Sequence, residues 1–142
     1  MKFRVIPDKQ TTKTPEIKNL DSFLATNKDK LEAFYNYASN RSDAVGLAAN
    51  QCSLNGKRFN MRAAAIMDIN TNKWILAVDP RIVKYHGLKR EKAEKCLTWI
   101  GKTILADRHH FVDVEYYDLD GNLHSLTAKA LQGQVWQHEI NH

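Results

Sequence analysis

Apolar positions recur along this chain with two different periods. Leu24, Leu31, Phe34, Tyr35 and Ala38 fall at helical spacing. They predict a helix over about residues 27–40, with Thr26 or Asn27 as its N-cap. Elsewhere the period is two. Residues 2–6 read as a short first strand, followed by a polar surface loop over 8–17. Residues 63–69 and 74–83 read as strands joined by the polar turn Asn70-Thr71-Asn72-Lys73. Val112, Val114 and Tyr116 alternate, Asp120-Gly121 supplies a turn, and Leu123 and Leu126 resume the pattern, which predicts a hairpin. Thr127 is then placed to cap a closing helix that runs to His142. Strands in mixed order around two helices predict an α+β fold, with mixed or antiparallel strands packed around the C-terminal helix, rather than a doubly wound parallel sheet.

Length and composition narrow the class. The 142 residues suit one domain spanning 1–142. No apolar run approaches the roughly 20 residues of a membrane span. The start, "MKFRVIPDK", shows no secretion signal, so a cytoplasmic protein with no membrane partner is expected. The formal charge of +5 comes from lysines and arginines interleaved with acids. That pattern predicts a solvated surface rather than a specific nucleic-acid partner. Cys52 and Cys96 are expected to be thiols or ligands rather than a disulfide.

The closing helix carries the chemistry. His138, Glu139 and His142 form an H-E-x-x-H. Four helical residues rise about 6 Å and turn roughly 400°, so the two imidazoles point the same way and can share one ion. Leu131, Val135, His138 and His142 lie on one helix face, expected to meet the core. Glu139, one step round, can flank the ion and serve as a base for metal-bound water. With His142 as the last residue, the third protein ligand is expected from residues 1–137. Cys52, Cys96, His86, His109, His110, His124 and scattered acids are candidates, the thiolates first because they suit zinc and ferrous iron.

Three segments then matter together: Ala44-Val45-Gly46-Leu47-Ala48-Ala49-Asn50-Gln51, Glu94-Lys95-Cys96-Leu97-Thr98 and Gln137-His138-Glu139-Ile140-Asn141-His142. In order and separation they resemble the three motifs of the peptide deformylases, G-φ-G-φ-A-A-x-Q, E-G-C-φ-S and Q-H-E-φ-D-H, where φ is apolar. The resemblance implies removal of the formyl group from the initiator formyl-methionine of nascent polypeptides, with release of formate. It implies Cys96, His138 and His142 as metal ligands and metal-bound water as nucleophile. Glu139 is then the general base, and the Gln51 amide and the Leu97 N–H are oxyanion donors. Val45, Gly46, Leu131 and Val135 are expected to meet the substrate, and Glu94 to orient a neighbour. One divalent metal per chain is implied, ferrous iron first, with zinc, nickel and cobalt as alternatives. Ala44, Lys95, Thr98 and Asn141 depart from the motif glycines, serine and aspartate. The end at His142 resembles short, phage-type members without the C-terminal helix, so any ribosome contact is expected to avoid that route, in a bacterial or phage-infected cell. The competing expectations are an H-E-x-x-H metallopeptidase and an inactive ribosome- or RNA-binding module.

Overall fold

The computed structural model describes residues 1–6, 13–87, 90–95, 103–108 and 111–142; for 90–95, 103–108, 130 and 131 it describes the backbone. In chain order the elements are β1 (Phe3–Val5), α1 (Leu20–Ser39), β2 (Gly46–Ala48), a 3-10 turn (Ala49–Gln51), β3 (Cys52–Leu54), β4 (Lys57–Arg58), β5 (Ala63–Asp68) and β6 (Lys73–His86). They continue with β7 (Arg90–Lys95), β8 (Thr103–Arg108), β9 (Phe111–Tyr117), β10 (Leu123–Lys129) and α2 (Ala130–Ile140). A five-stranded sheet runs in the order β10-β9-β6-β5-β2, beside β1-β3-β4 and the β7-β8 pair. Among the described residues every strand pairing is antiparallel. This is the expected α+β class.

The alternation in β5 explains why the two helices lie on opposite faces. Ala63 and Ala65 join a core with Leu31, Phe34 and Ala38 of α1. Ala64 and Ile66 join a second core with Val135 and Trp136 of α2. Successive strand residues point to opposite faces, so one run of small residues serves both helices. Trp136 is 1% exposed and stacks on Tyr116 at 5.6 Å. It is the large anchor of the α2 side, seated over Ala64, Ala77 and Ala128.

The first helix begins seven residues before the expected start near 27. Asn19 is the N-cap, its Oδ1 accepting from the Ser22 N–H at 3.0 Å, and Asp21 places an acid in the first turn. Asn27 is interior, not a cap. It occupies a core-facing position at 8% exposure and donates from Nδ2 to the Phe23 carbonyl at 2.9 Å. A polar residue in the apolar stripe hid the first two turns. Thr127 does not cap α2 either: it lies in β10, and its hydroxyl donates to Asp113 Oδ1 at 2.5 Å. Lys129 holds the cap position without a side-chain bond.

Strand β6 runs past the expected 74–83, to His86. It carries a register shift between Val78 and Arg81, where Asp79 takes φ 49° and Pro80 follows. Proline has no N–H to give a ladder, and a bulge is where a strand tolerates it. No helix among the described residues is long and apolar enough to cross a membrane.

Trp136→Ala is expected to cost about 3–5 kcal/mol, as for other buried aromatic truncations. Urea unfolding measures this, and a loss below about 1 kcal/mol would contradict the anchoring role.

Candidate metal centre

Helix α2 lies along β5 and β2. Near its start, Gln132 bridges to the end of β5: its Oε1 accepts from the Ile69 N–H at 2.8 Å and its Nε2 donates to the Met67 carbonyl at 3.0 Å. Midway, Val135 and Glu139 meet Gly46 of β2. At the end, Asn50 Nδ2 donates to the His142 carbonyl at 2.7 Å. The helix therefore runs parallel to β2, and its H-E-x-x-H turn falls beside the segment Gly46–Gln51.

The two imidazoles face each other. His138 Nε2 and His142 Nε2 are 3.0 Å apart, and Glu139 Oε1 is 3.8 Å from His138 Nε2. Among the described residues, these three form a cluster whose ligand-type atoms all lie within 4.8 Å of one another. Glu139 is 7% exposed, while both histidines are half-buried. Two metal–nitrogen bonds of about 2.0–2.1 Å at a tetrahedral angle set their nitrogens roughly 3.3 Å apart. The observed 3.0 Å is close to that span, so the pair fits a shared cation. A cleft of about 460 Å³ opens alongside, with Ala48, Asn50, Glu139 and His142 among its lining residues.

Gly46 is small because of what it touches. Its φ is not in the left-handed region, so conformational freedom is not the reason. A Cβ built there would lie 3.0 Å from Glu139 Cγ, 3.0 Å from Val135 Cγ1 and 3.2 Å from Glu139 Cδ. The glycine lets the strand backbone press against the Glu139 side chain and restrict where its carboxylate can go.

Gln51 is 2% exposed, and its Oε1 accepts from the Ala48 N–H at 2.8 Å. Only the oxygen end of an amide can accept, so this bond orients the NH2 end away from Ala48. Val135 is 8% exposed, and Val45 is 40% exposed with its carbonyl accepting from Met67 N at 2.9 Å. Cys96, Leu97, His109 and His110, together with the side chains of Leu131 and Glu94, lie outside the described residues.

The other candidate ligands are committed elsewhere. His86 Nε2 pairs with Asp113 Oδ2 at 2.8 Å, and His124 Nε2 with Asp118 Oδ2 at 2.7 Å. Each imidazole holds its partner's carboxyl below the usual value. Cys52 is fully buried in the α1 core. Burial pushes its thiol up to about 12; the Arg41 guanidinium pulls it down and Glu139 raises it. Among the described residues, Cys52 is not part of the cluster of ligand atoms formed by His138, Glu139 and His142.

Two residues that dock helix α2, Asn50 at its metal-centre end and Gln132 at its far end, escaped sequence reasoning. Asn50 stands at the unassigned position of the first motif, and its partner lies 92 positions away. Gln132 looks like an ordinary polar residue of a helix. No local pattern marks either one, because both act on backbone brought near only by folding.

The model of the family described as "Polypeptide deformylase" matches residues 4–142. The chain belongs to the polypeptide deformylase family. Among relatives of this family, a peptide deformylase of Staphylococcus epidermidis is 32% identical over 157 positions, covering 97% of this chain and 83% of its own. One of Chloroflexus aggregans is 34% identical over 79 residues, 55% of this chain and 42% of its own. The Arabidopsis thaliana peptide deformylase 1B is 27% identical over 125 residues, 88% of this chain and 45% of its own. Against those last two relatives, the match spans less than half their length. A crystal structure of Arabidopsis thaliana deformylase 1B matches the deformylase fold seen here with TM-score 0.75 at 23% identity, over 96% of this chain and 74% of that one. A peptide deformylase from Legionella pneumophila matches with TM-score 0.69 at 28% identity, over 97% and 78%.

Gly46→Ala is expected to destabilise the fold by about 1–3 kcal/mol through overpacking. Val135→Ala should recover part of that loss by removing one of the two close contacts. Full stability of Gly46→Ala in urea unfolding would contradict the close approach. The Cys52 thiol gives a second test. Its folded ionisation lies above the unfolded value, so its contribution to stability is intact below the unfolded value and is lost as pH rises toward 12. Cys52→Ala is expected to flatten the alkaline loss of stability above about pH 8.5; an unchanged alkaline limb contradicts the buried thiol.

Proposed function

We propose that this chain is a metal-dependent hydrolase that removes the formyl group from formyl-methionyl nascent peptides and releases formate. The single observation that carries this reading is the convergence of His138 Nε2 and His142 Nε2 at 3.0 Å with Glu139 beside them, within a chain of this family.

Cys96 is the proposed third ligand. Its support is the motif Glu94-Lys95-Cys96-Leu97-Thr98 and the affinity of thiolate for zinc and ferrous iron. Ferrous iron is proposed first, with zinc, nickel or cobalt as alternatives. Bound there, a divalent cation supplies Lewis acidity toward the formyl oxygen and makes water a competent nucleophile near neutral pH.

The remaining steps belong to the chain's own groups. The Glu139 carboxylate takes a proton from the attacking water, whose oxygen bonds to the formyl carbon. The C–N bond then breaks, the same carboxyl gives the proton to the departing amine, and the formic acid left behind releases its own proton to solvent to give formate. Pressed against Gly46, Glu139 has little room to swing out of reach. The NH2 end of Gln51 and the Leu97 N–H are proposed to donate to the developing oxyanion. Val45, Gly46, Leu131 and Val135 are proposed to meet the methionine and its backbone.

Glu139→Gln is expected to keep its metal and lose formate release from formyl-Met-Ala by about 10²–10⁴-fold. Near-normal turnover would overturn the base assignment. In protein purified without oxygen, elemental analysis should find metal in wild type and in Cys52→Ala and little in Cys96→Ala. Full metal content in Cys96→Ala would overturn the ligand set.

A further inference from the structure

We propose that Asn50 is a positioning residue for His142: it clamps the last turn of α2 so that the His142 ring stays opposed to His138. The inference rests on the metal-centre reading above and deepens it. The last carbonyls of a helix have no donor within the helix. At the end of α2 the helix's own bonds are Asn141 N donating to the Gln137 carbonyl at 3.1 Å and His142 N to the Glu139 carbonyl at 3.3 Å. The shorter bond at this end comes from outside, from Asn50 Nδ2 to the His142 carbonyl at 2.7 Å.

Asn50 is itself held. It is 2% exposed, sits in the 3-10 turn Ala49–Gln51, and receives a hydrogen bond at its own carbonyl from Arg58 Nη1 at 2.8 Å. The chain of restraint runs from Arg58 through Asn50 to the backbone of His142, one residue's torsions from the ring that faces His138. The same turn ends in Gln51, whose oxygen is tied to the Ala48 N–H. One short segment therefore sets both the His142 end of the cation site and the orientation of the Gln51 amide.

Gln132 provides the contrast. It pins the first turn of the same helix to Met67 and Ile69, ten residues before His142. A loss of helix docking in general should follow from either substitution; a loss of ring placement should follow from Asn50 alone.

The test is Zn2+ affinity, measured on the full chain by competition with a chromophoric chelator, well below the unfolding temperature of each variant. Unfolding curves are taken in parallel. Asn50→Leu is expected to bind Zn2+ on the order of 10–100-fold more weakly, as when a partner that orients a ligand is removed. Gln132→Leu is expected to lose stability yet bind Zn2+ as wild type does. If Asn50→Leu does not fold, Asn50→Asp is read in the same assay, since it keeps the volume and replaces the donor with an acceptor. Wild-type affinity in the Asn50 variant overturns the inference. So does an equal loss in Gln132→Leu, which would mark general loosening of the helix. A wild-type chain that takes up no Zn2+ overturns the metal-centre reading and this inference together; wild-type uptake with an unaffected Asn50 variant overturns this inference alone.

Discussion

The close approach of strand β2 to helix α2 at Gly46 sets the distances on which the rest of the centre depends. With both Glu139 Cγ and Val135 Cγ1 only 3.0 Å from where a Cβ would lie, any side chain at this position would collide with the helix. That contact fixes how near the motif Ala44–Gln51 comes to the H-E-x-x-H turn. It also confines Glu139, a buried acid 3.8 Å from His138. Three further bonds hold the helix along the strand, two through Gln132 at its first turn, remote from the histidines, and one from Asn50 at its last. Packing sets the separation and hydrogen bonds set the register.

The sheet makes this placement possible by separating two jobs. One face carries α1 over a core of Leu31, Phe34 and Ala38, where Cys52 is sequestered. The other carries α2 over alanines that leave room for Trp136. The two thiols of the chain thereby acquire different expectations. Cys52 sits among apolar side chains that hold it protonated. Cys96 belongs to the motif that the family resemblance joins to the histidines.

Much of this was legible in the sequence. The period-two runs located β5, β6 and the β9-β10 hairpin, and the helical register of His138 and His142 put their rings together. What was not legible has physical reasons. The start of α1 was obscured because Asn27 holds a core-facing position and satisfies its own amide within the helix. Thr127 looked like a cap because capping residues and strand residues overlap in type; its hydroxyl instead meets Asp113 across the β9-β10 ladder. Gly46 is expected from its motif to meet the substrate; its crowded contact with two helix side chains was not legible, because those side chains come near it only on folding. Asn50 left no trace in local pattern because its partner is a backbone carbonyl 92 residues on.

The central claim is that His138 and His142 hold a divalent cation jointly with the Cys96 thiolate. X-ray absorption on protein loaded with Zn2+ addresses it directly, because sulfur and nitrogen scatter at distinguishable distances. The expected result is two nitrogen neighbours at about 2.0–2.1 Å and one sulfur at about 2.3 Å, with the sulfur lost in Cys96→Ser. A first shell of nitrogen and oxygen alone in the wild-type chain would contradict it.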